Sequence, residues 1–456
     1  MSLCNEKDQL VAVPEDVELG HTAAGERQAI FLSNLMAATA QSKQYRAYGY
    51  WVPMHSSVQR AILGRRYSDH LRQLIDRGII ERNDSYWAGD PTYGSRPFTK
   101  AVRFTERYRT GRFRLFQLTR VASKRAATKV RNVDPQNLEA SGMHLWQNLQ
   151  RFGLANPEKV TGDTWTYYTV ARWTRGDHHA TRCQYRRFHS LLTQSPRSLR
   201  QHITIDGSSE TAIVDVSACQ PLLIGNLAAA AQQQAATGDK RGKGAGPTNV
   251  MLRTFEKSAS VPSDIWDWWH LCETGRIYDH MLDRIRRWPE PAFQWLTLKS
   301  GRSVQIDLRD ATRDAIKRST LVSAFDRQER TERNPLFRIV CEDFPSIAAF
   351  VRKAKSEGHE ALARRLQEFE SRLIIDGAID SIRRTHPAEP VSTIHDAIFC
   401  RASFAPTAAN AIRDQFAQWG MHPKVKAETF GQSKPTAAAT SRTAASSLSP
   451  AGKTNS

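Results

Sequence analysis

The apolar run STIHDAIFC, residues 392–400, carries an imidazole and a carboxylate side by side at its centre, His395 and Asp396. A buried carboxylate without a partner costs several kcal/mol, so a cation is expected beside it, and a metal ion would serve. A second carboxylate, Asp215, sits at the end of the alternating segment TAIVDV (211–216). There a Gln-Pro step, Gln220-Pro221, opens an apolar helix, and Pro fits a first turn in which its missing N–H is not needed. Between the two acids lies ATRDAIKRSTLVSAFDRQER (311–330), which reads as one helix. Arg313, Lys317, Leu321 and Phe325 recur every four residues along it, so two cations and then two apolar groups share a face that drifts ~40° per step. That face suits a nucleoside triphosphate, with phosphates on the cations and the base on the apolar end. Two strand-borne carboxylates could hold two Mg²⁺ ions ~3.5–4 Å apart, as in-line nucleotidyl transfer requires.

Taken singly, each signal has an ordinary explanation: a satisfied structural Asp, or a basic amphipathic helix. Their order along one chain is what favours chemistry. At 456 residues the chain is long enough for two or three domains and a substantial core. Its 65 Lys plus Arg against 46 Asp plus Glu give a formal charge of +19, which points to a polyanionic partner, nucleic acid ahead of a membrane surface. No apolar run reaches the ~18 residues of a membrane span, and MSLCNEKDQL resembles no signal peptide, so a soluble, cytoplasmic protein is expected. Cys4, Cys183, Cys219, Cys272, Cys341 and Cys400 form no C-x-x-C pair, which argues against a zinc knuckle or a disulfide framework.

The elements that must position these residues can be sketched from pattern. Residues 1–45 form an N-terminal segment. Residues 46–115 read helix, helix, a strand starting at GIIE and a returning strand near AVRF, the order of a winged helix-turn-helix that binds DNA. Ile62, Leu63, Leu71, Leu74 and Ile75 supply its apolar face and Arg60, Arg65, Arg66 and Arg72 the outer one. Residues 116–205 are expected to be a basic, helical, thumb-like connector that includes the amphipathic segment 138–154. The chemistry falls in 206–430, interrupted by an exposed Gly/Lys-rich insertion near 228–249, and the Ala/Ser/Thr-rich end, 431–456, reads as a disordered tail.

The second half resembles the family A polymerases, the superfamily of bacterial DNA polymerase I and of the single-subunit phage and mitochondrial RNA polymerases. D-V-S-A-C-Q-P from Asp215 resembles motif A, R-D-A-I-K-R-S-T-L-V-S-A-F-D from Arg313 motif B, and I-H-D-A from Ile394 motif C. RRFHSLLTQSPRSLR (186–200) looks like the segment just upstream of motif A, and LQEFESRLI (366–374) like the Gln-containing helix between motifs B and C. One motif matches easily by chance; five in order do not.

The resemblance implies an α+β fold: a right-hand palm of antiparallel sheet with helices, and helical fingers, preceded by the winged-helix-like and helical N-terminal region. It implies that Asp215 and Asp396 hold two Mg²⁺ ions, that Arg313 and Lys317 contact the triphosphate, and that Phe325 stacks near the incoming base and sugar. His395 would then lie near the primer terminus, and Arg187 and Gln367 would touch the primer-template duplex. Several positions depart from the family pattern. Gln220 stands where DNA-making members have a Glu that excludes the ribose 2′-hydroxyl, Phe325 replaces a Tyr, Ala397 an acid, and Asp326 a Gly. The expected function is DNA-templated DNA synthesis from nucleoside triphosphates for a plasmid, phage or other mobile element, without proofreading. The alternatives are an RNA polymerase or primase-like enzyme, or an inactive DNA-binding replication protein.

Overall fold

The computed structural model of the protein describes residues 10–41, 45, 49–83, 100–109, 113–119, 138–162, 164–176, 178, 180–237, 260–297, 303–358 and 360–431. Beyond Gly431 the expected tail lies outside them, as do residues 238–249 of the expected insertion; residues 228–237 are described, and they continue helix Cys219–Thr237 with Ala228, Ala229 and Ala230 buried in the apolar core instead of exposed. The fold is mixed α+β, with helices around small antiparallel sheets.

In the N-terminal part, helices Ser56–Leu63 and Tyr67–Asp76 are followed by strands Ile80–Asn83 and Ala101–Phe104, and Val52–Pro53 completes a three-stranded sheet with Ala101–Phe104 in the middle. His55 caps the first helix by accepting the Ser57 N–H through Nδ1. Gly64, at φ 86°, makes the break between the helices that only a residue without a side chain takes easily. Leu63, Leu71 and Leu74 are buried and Arg60, Arg65, Arg66 and Arg72 exposed, as the spacing predicts. The same core also takes in strand Leu10–Pro14, which pairs antiparallel with Phe113–Gln117, and helix Ala23–Gln41. That pairing spans about a hundred residues of chain, so no local pattern announces it.

Helix Thr164–Arg175 joins this core to the second one: Tyr168 and Ala171 pack into the first, Val170 and Trp173 into the second. The described residues of the 116–205 stretch are less helical than expected. The amphipathic segment at 138–154 is a helix only over Ala140–Leu149, and Phe152–Leu154 pairs with Ile203–Ile205. A second pair, Ala180–Arg182 with Phe188–Ser190, lies nearby. Short β-branched and aromatic runs there find partners across the chain, which tertiary pairing favours over local helix propensity.

The second core is built on a four-stranded antiparallel sheet in the order Ser392–Ile394, Ala397–Arg401, Thr211–Val216, Val425–Phe430. Helix Ala405–Ala417 packs on it through Ala408, Ile412 and Phe416. Around the sheet stand helices Cys219–Thr237, Ser263–Glu273, Ile277–Arg286, Arg313–Phe325, Pro345–Ser356 and Ala361–Ser371. A Cβ on Gly225 would sit 3.0 Å from Trp268 Cδ1, so the missing side chain lets helix Cys219–Thr237 close on its neighbour, and Trp268 Nε1 donates to the Pro221 carbonyl at 2.8 Å.

Two expectations about elements are corrected. Residues 311–330 are two helices: the first ends at Phe325, Arg327 is extended, and the next runs Gln328–Glu332. The buried Lys355 ammonium donates to the freed Asp326 carbonyl at 2.5 Å and to Thr331 Oγ1, which stabilises the break. The segment expected as one strand around His395 and Asp396 is a tight hairpin, and these two residues are its turn, with His395 in the left-handed region at φ 58°.

Candidate active site

Strand Thr211–Val216 forms because Ala212, Ile213, Val214 and Val216 are buried apolar residues, three of them β-branched, which leaves Asp215 the one part-exposed side chain. Ala218, at φ 56°, turns the chain and Cys219 starts the following helix, with Pro221 in the first turn. The antiparallel register sets Asp215 opposite Ala397 on one side and Lys426 on the other. Asp396 precedes Ala397, so the hairpin turn presents its carboxylate at the end of the Asp215 strand.

The electrostatics make these acids neighbours. Burial and the charge of Asp396 push the Asp215 carboxyl up to about 7, against the pull of Lys317 and Lys426. Burial also raises Asp396, opposed by its own backbone N–H, Lys317 and Arg187. Lys317 acts on both acids and has no ion-pair partner among the described residues; its Nζ lies 6.0 Å from the centre of the buried Tyr278 ring. Arg313 lies 5.5 Å from the same ring, and it is occupied: Nε donates to Asp279 at 2.6 Å and Nη2 to the Gly275 carbonyl at 2.9 Å. Arg313, Lys317, Leu321 and Phe325 are each partly exposed, so the expected stripe borders open space. Burial pushes the Tyr278 phenol up, which keeps it neutral under the two cations.

A third carboxylate, absent from the expected set, completes the site. Glu370 is 1% exposed, accepts from Arg187 Nη2 at 2.6 Å and from Gln220 Nε2 at 2.9 Å, and is pushed up to about 7 by burial and by Asp396. Its oxygen, an Asp396 oxygen and Cys219 Sγ lie within 4.8 Å of one another. Burial raises the Cys219 thiol well above its ordinary value, so it remains protonated. The carboxylates fit a hard divalent cation such as Mg²⁺, which takes oxygen donors, and the protonated thiol adds nothing to that preference. Buried acids held partly neutral by one another are groups that a cation would ionise.

The remaining expected residues fall around this centre. Arg187, with a side chain only 17% exposed, faces Glu370. His395 is exposed as a residue, yet desolvation of its ring and repulsion by Arg187, Arg200 and His189 push its imidazole down to about 4, so it is neutral at pH 7. Gln367 is partly buried and sits one turn before Glu370 on helix Ala361–Ser371. Asp326, at the break after Phe325, accepts from the Arg327 N–H. After Ser371 that helix widens into a π-helix, Arg372–Ile379, whose Asp376 binds Arg182 and Arg186 and so ties the 180–190 hairpin to the Glu370 helix.

No family model matches this chain, and no curated protein matches it. Among solved structures it is similar to the POL domain of Pol1 from M. smegmatis in complex with DNA primer-template and dNTP, at 10% identity and a TM-score of 0.34, over 59% of this chain and 53% of that one. The match therefore spans about half of that chain. Among the described residues, no helix is long and apolar enough to cross a membrane.

Proposed function

We propose that this protein is a template-directed nucleic acid polymerase of the family A type, making DNA on a DNA template from nucleoside triphosphates. The observation that carries the reading is that Asp215 and Asp396, far apart in sequence, meet at one end of the sheet and both feel Lys317, which has no ion pair among the described residues. In this reading the four-stranded sheet is the palm, and the helix carrying Arg313 and Lys317 belongs to the fingers. The exposed arginines of the two N-terminal helices serve a winged-helix DNA-binding unit over 46–115, followed by a connector over 116–205.

Asp215, Asp396 and Glu370 would hold Mg²⁺, and Mg²⁺ bound there would activate the primer 3′-hydroxyl and stabilise the leaving pyrophosphate. Lys317 meets the triphosphate as a preorganised charge, and Arg313 does so by exchanging Asp279 for phosphate oxygens. Tyr278 backs both cations with an apolar, neutral ring. Glu370 holds Gln220 and Arg187 in fixed positions, so the amide at the sugar-checking position and the cation expected at the duplex are oriented before substrate arrives. Phe325 offers the base a stacking surface at the far end of the stripe, and neutral His395 lies beside Asp396 near the primer end.

Primer extension on a DNA template with Mg²⁺, offering dNTPs and rNTPs separately, tests this for the wild type beside Asp396→Ala. Extension by the wild type alone, with dNTPs preferred, is expected. Preference for rNTPs turns the reading to an RNA polymerase or primase-like enzyme. No extension with DNA binding intact turns it to a binding protein on an inactive scaffold.

A further inference from the structure

Between the Tyr278 helix and the Lys317 helix the chain makes a two-stranded hairpin, Phe293–Thr297 paired antiparallel with Ser303–Asp307. It is rooted firmly. Ala292 and Leu308 are buried at its base, the Leu308 N–H donates to the Ala292 carbonyl at 3.0 Å, Ile306 packs on the core, and the Ser319 hydroxyl of the Lys317 helix donates to Gln294. Side chains alternate faces along a strand, so Phe293 and Trp295 share the face opposite Gln294. Phe293 is 56% exposed and Trp295 65%, and no other large apolar side chain among the described residues is so exposed.

The surroundings say what covers these rings. Arg286 and Arg287, where the preceding helix ends, are exposed and have no ion pair among the described residues, and Arg318 is exposed beside the Ser319 anchor. Asp307, which pairs across from Phe293, is neutralised by Arg309 and by the N–H groups of Ala292 and Arg309. Glu290 is an exposed acid in the approach to the hairpin. Two aromatic side chains at these exposures offer about 300 Å² at most, against the ~800 Å² per partner of a stable protein interface. Rings flanked by unpaired cations match a single-stranded nucleic acid, whose bases stack on aromatic faces while its phosphates take the charges.

We propose that the paired strands Phe293–Thr297 and Ser303–Asp307 are a stacking platform for single-stranded nucleic acid, fixed to the two helices that carry Tyr278 and Lys317. A strand passing the Arg313 and Lys317 face of its helix meets it without the platform having to move. The proposal rests on the reading of the chain as a nucleic-acid-binding protein, though not on its catalysis.

The test is fluorescence anisotropy of the full chain with a labelled thymidine 20-mer and with an abasic 20-mer of equal charge. The wild type is expected to prefer the thymidine strand. Phe293→Ala/Trp295→Ala should weaken that strand by about tenfold or more and leave the abasic one unchanged, whereas Phe293→Tyr/Trp295→Tyr should keep the preference. Asp396→Ala should keep it too, so a failed polymerase reading and a failed platform give different results. Equal binding of both strands by the wild type, or unchanged thymidine affinity in the double alanine variant, overturns the proposal. So does a change of oligomeric state by light scattering in that variant, which would make the rings a contact between copies.

Discussion

Asp396→Asn is predicted to remove the protein's metal response and, without metal, to stabilise it. The donor oxygens of Glu370 and Asp396 lie within 4.8 Å. At an effective dielectric of about 20, two unit charges at that distance repel by about 3.5 kcal/mol. Part of this is offset by the attraction of Asp396 for Lys317 and Arg187, which the amide also loses. A net gain of about 1–2 kcal/mol is expected, a rise of roughly 1–2 °C in Tm for a chain of 456 residues. The size of the gain depends on pH. Asp215 and Glu370 are both raised to about 7, so the folded state holds protons that the unfolded chain has released, and stability falls as pH rises from the ordinary carboxylate range through about 7. The variant's advantage should therefore be full at pH 8 in chelator and small at pH 5. Thermal unfolding at both pH values, with EDTA and then with Mg²⁺, measures it, and Mg²⁺ should stabilise the wild type alone. A variant less stable than wild type at pH 8 in EDTA, or a gap that ignores pH, would refute the reasoning.

Glu370→Ala should cost about 3–5 kcal/mol, because it strands the mostly buried Arg187 and leaves Gln220 without its acceptor, while Glu370→Gln should cost clearly less; paired thermal melts decide. Lys317→Ala should shift the acid limb of the extension pH profile to higher pH, because the ammonium lowers both Asp215 and Asp396; an unmoved limb would show that Lys317 acts only on substrate.

The sequence disclosed the residues whose signal is local. Asp215 at the end of an alternating strand, the four-residue repeat of Arg313 and Lys317, and the His395-Asp396 interruption all stand where their spacing predicts, though the last is a turn and not a strand centre. Glu370 was hidden within one helix: Gln367 drew the family resemblance, and the acid three residues later was not singled out. Its signal was there in retrospect, since Leu362, Leu366, Phe369 and Leu373 make an apolar stripe that carries Glu370 inward. Tyr278 carried no such signal, because an aromatic between Ile277 and Met281 reads as core, which it also is. The Leu10–Pro14 pairing and the strands inside 138–205 depend on partners distant in sequence, beyond the reach of periodicity. The helix break after Phe325 depends on Lys355, thirty residues away.

The charges at the centre also imply an order of events. Three carboxylates, Asp215, Glu370 and Asp396, crowd one point, with Lys317 and Arg187 acting on them there and Lys426 and Arg200 acting on Asp215, while Arg313 is neutralised by Asp279. With the acids ionised, three like charges crowd the place where Glu370 and Asp396 meet, which opposes a triphosphate at that point and favours a divalent cation. A divalent cation held there would offset the charge of Asp396, which together with burial holds Asp215 and Glu370 near 7. The Lys317 face would then attract phosphate more strongly, and Arg313 could exchange its carboxylate partner for the nucleotide. The same arrangement that destabilises the apo site thus makes nucleotide binding conditional on metal, so nucleotide affinity should rise with Mg²⁺ in the wild type and should not in Asp396→Asn.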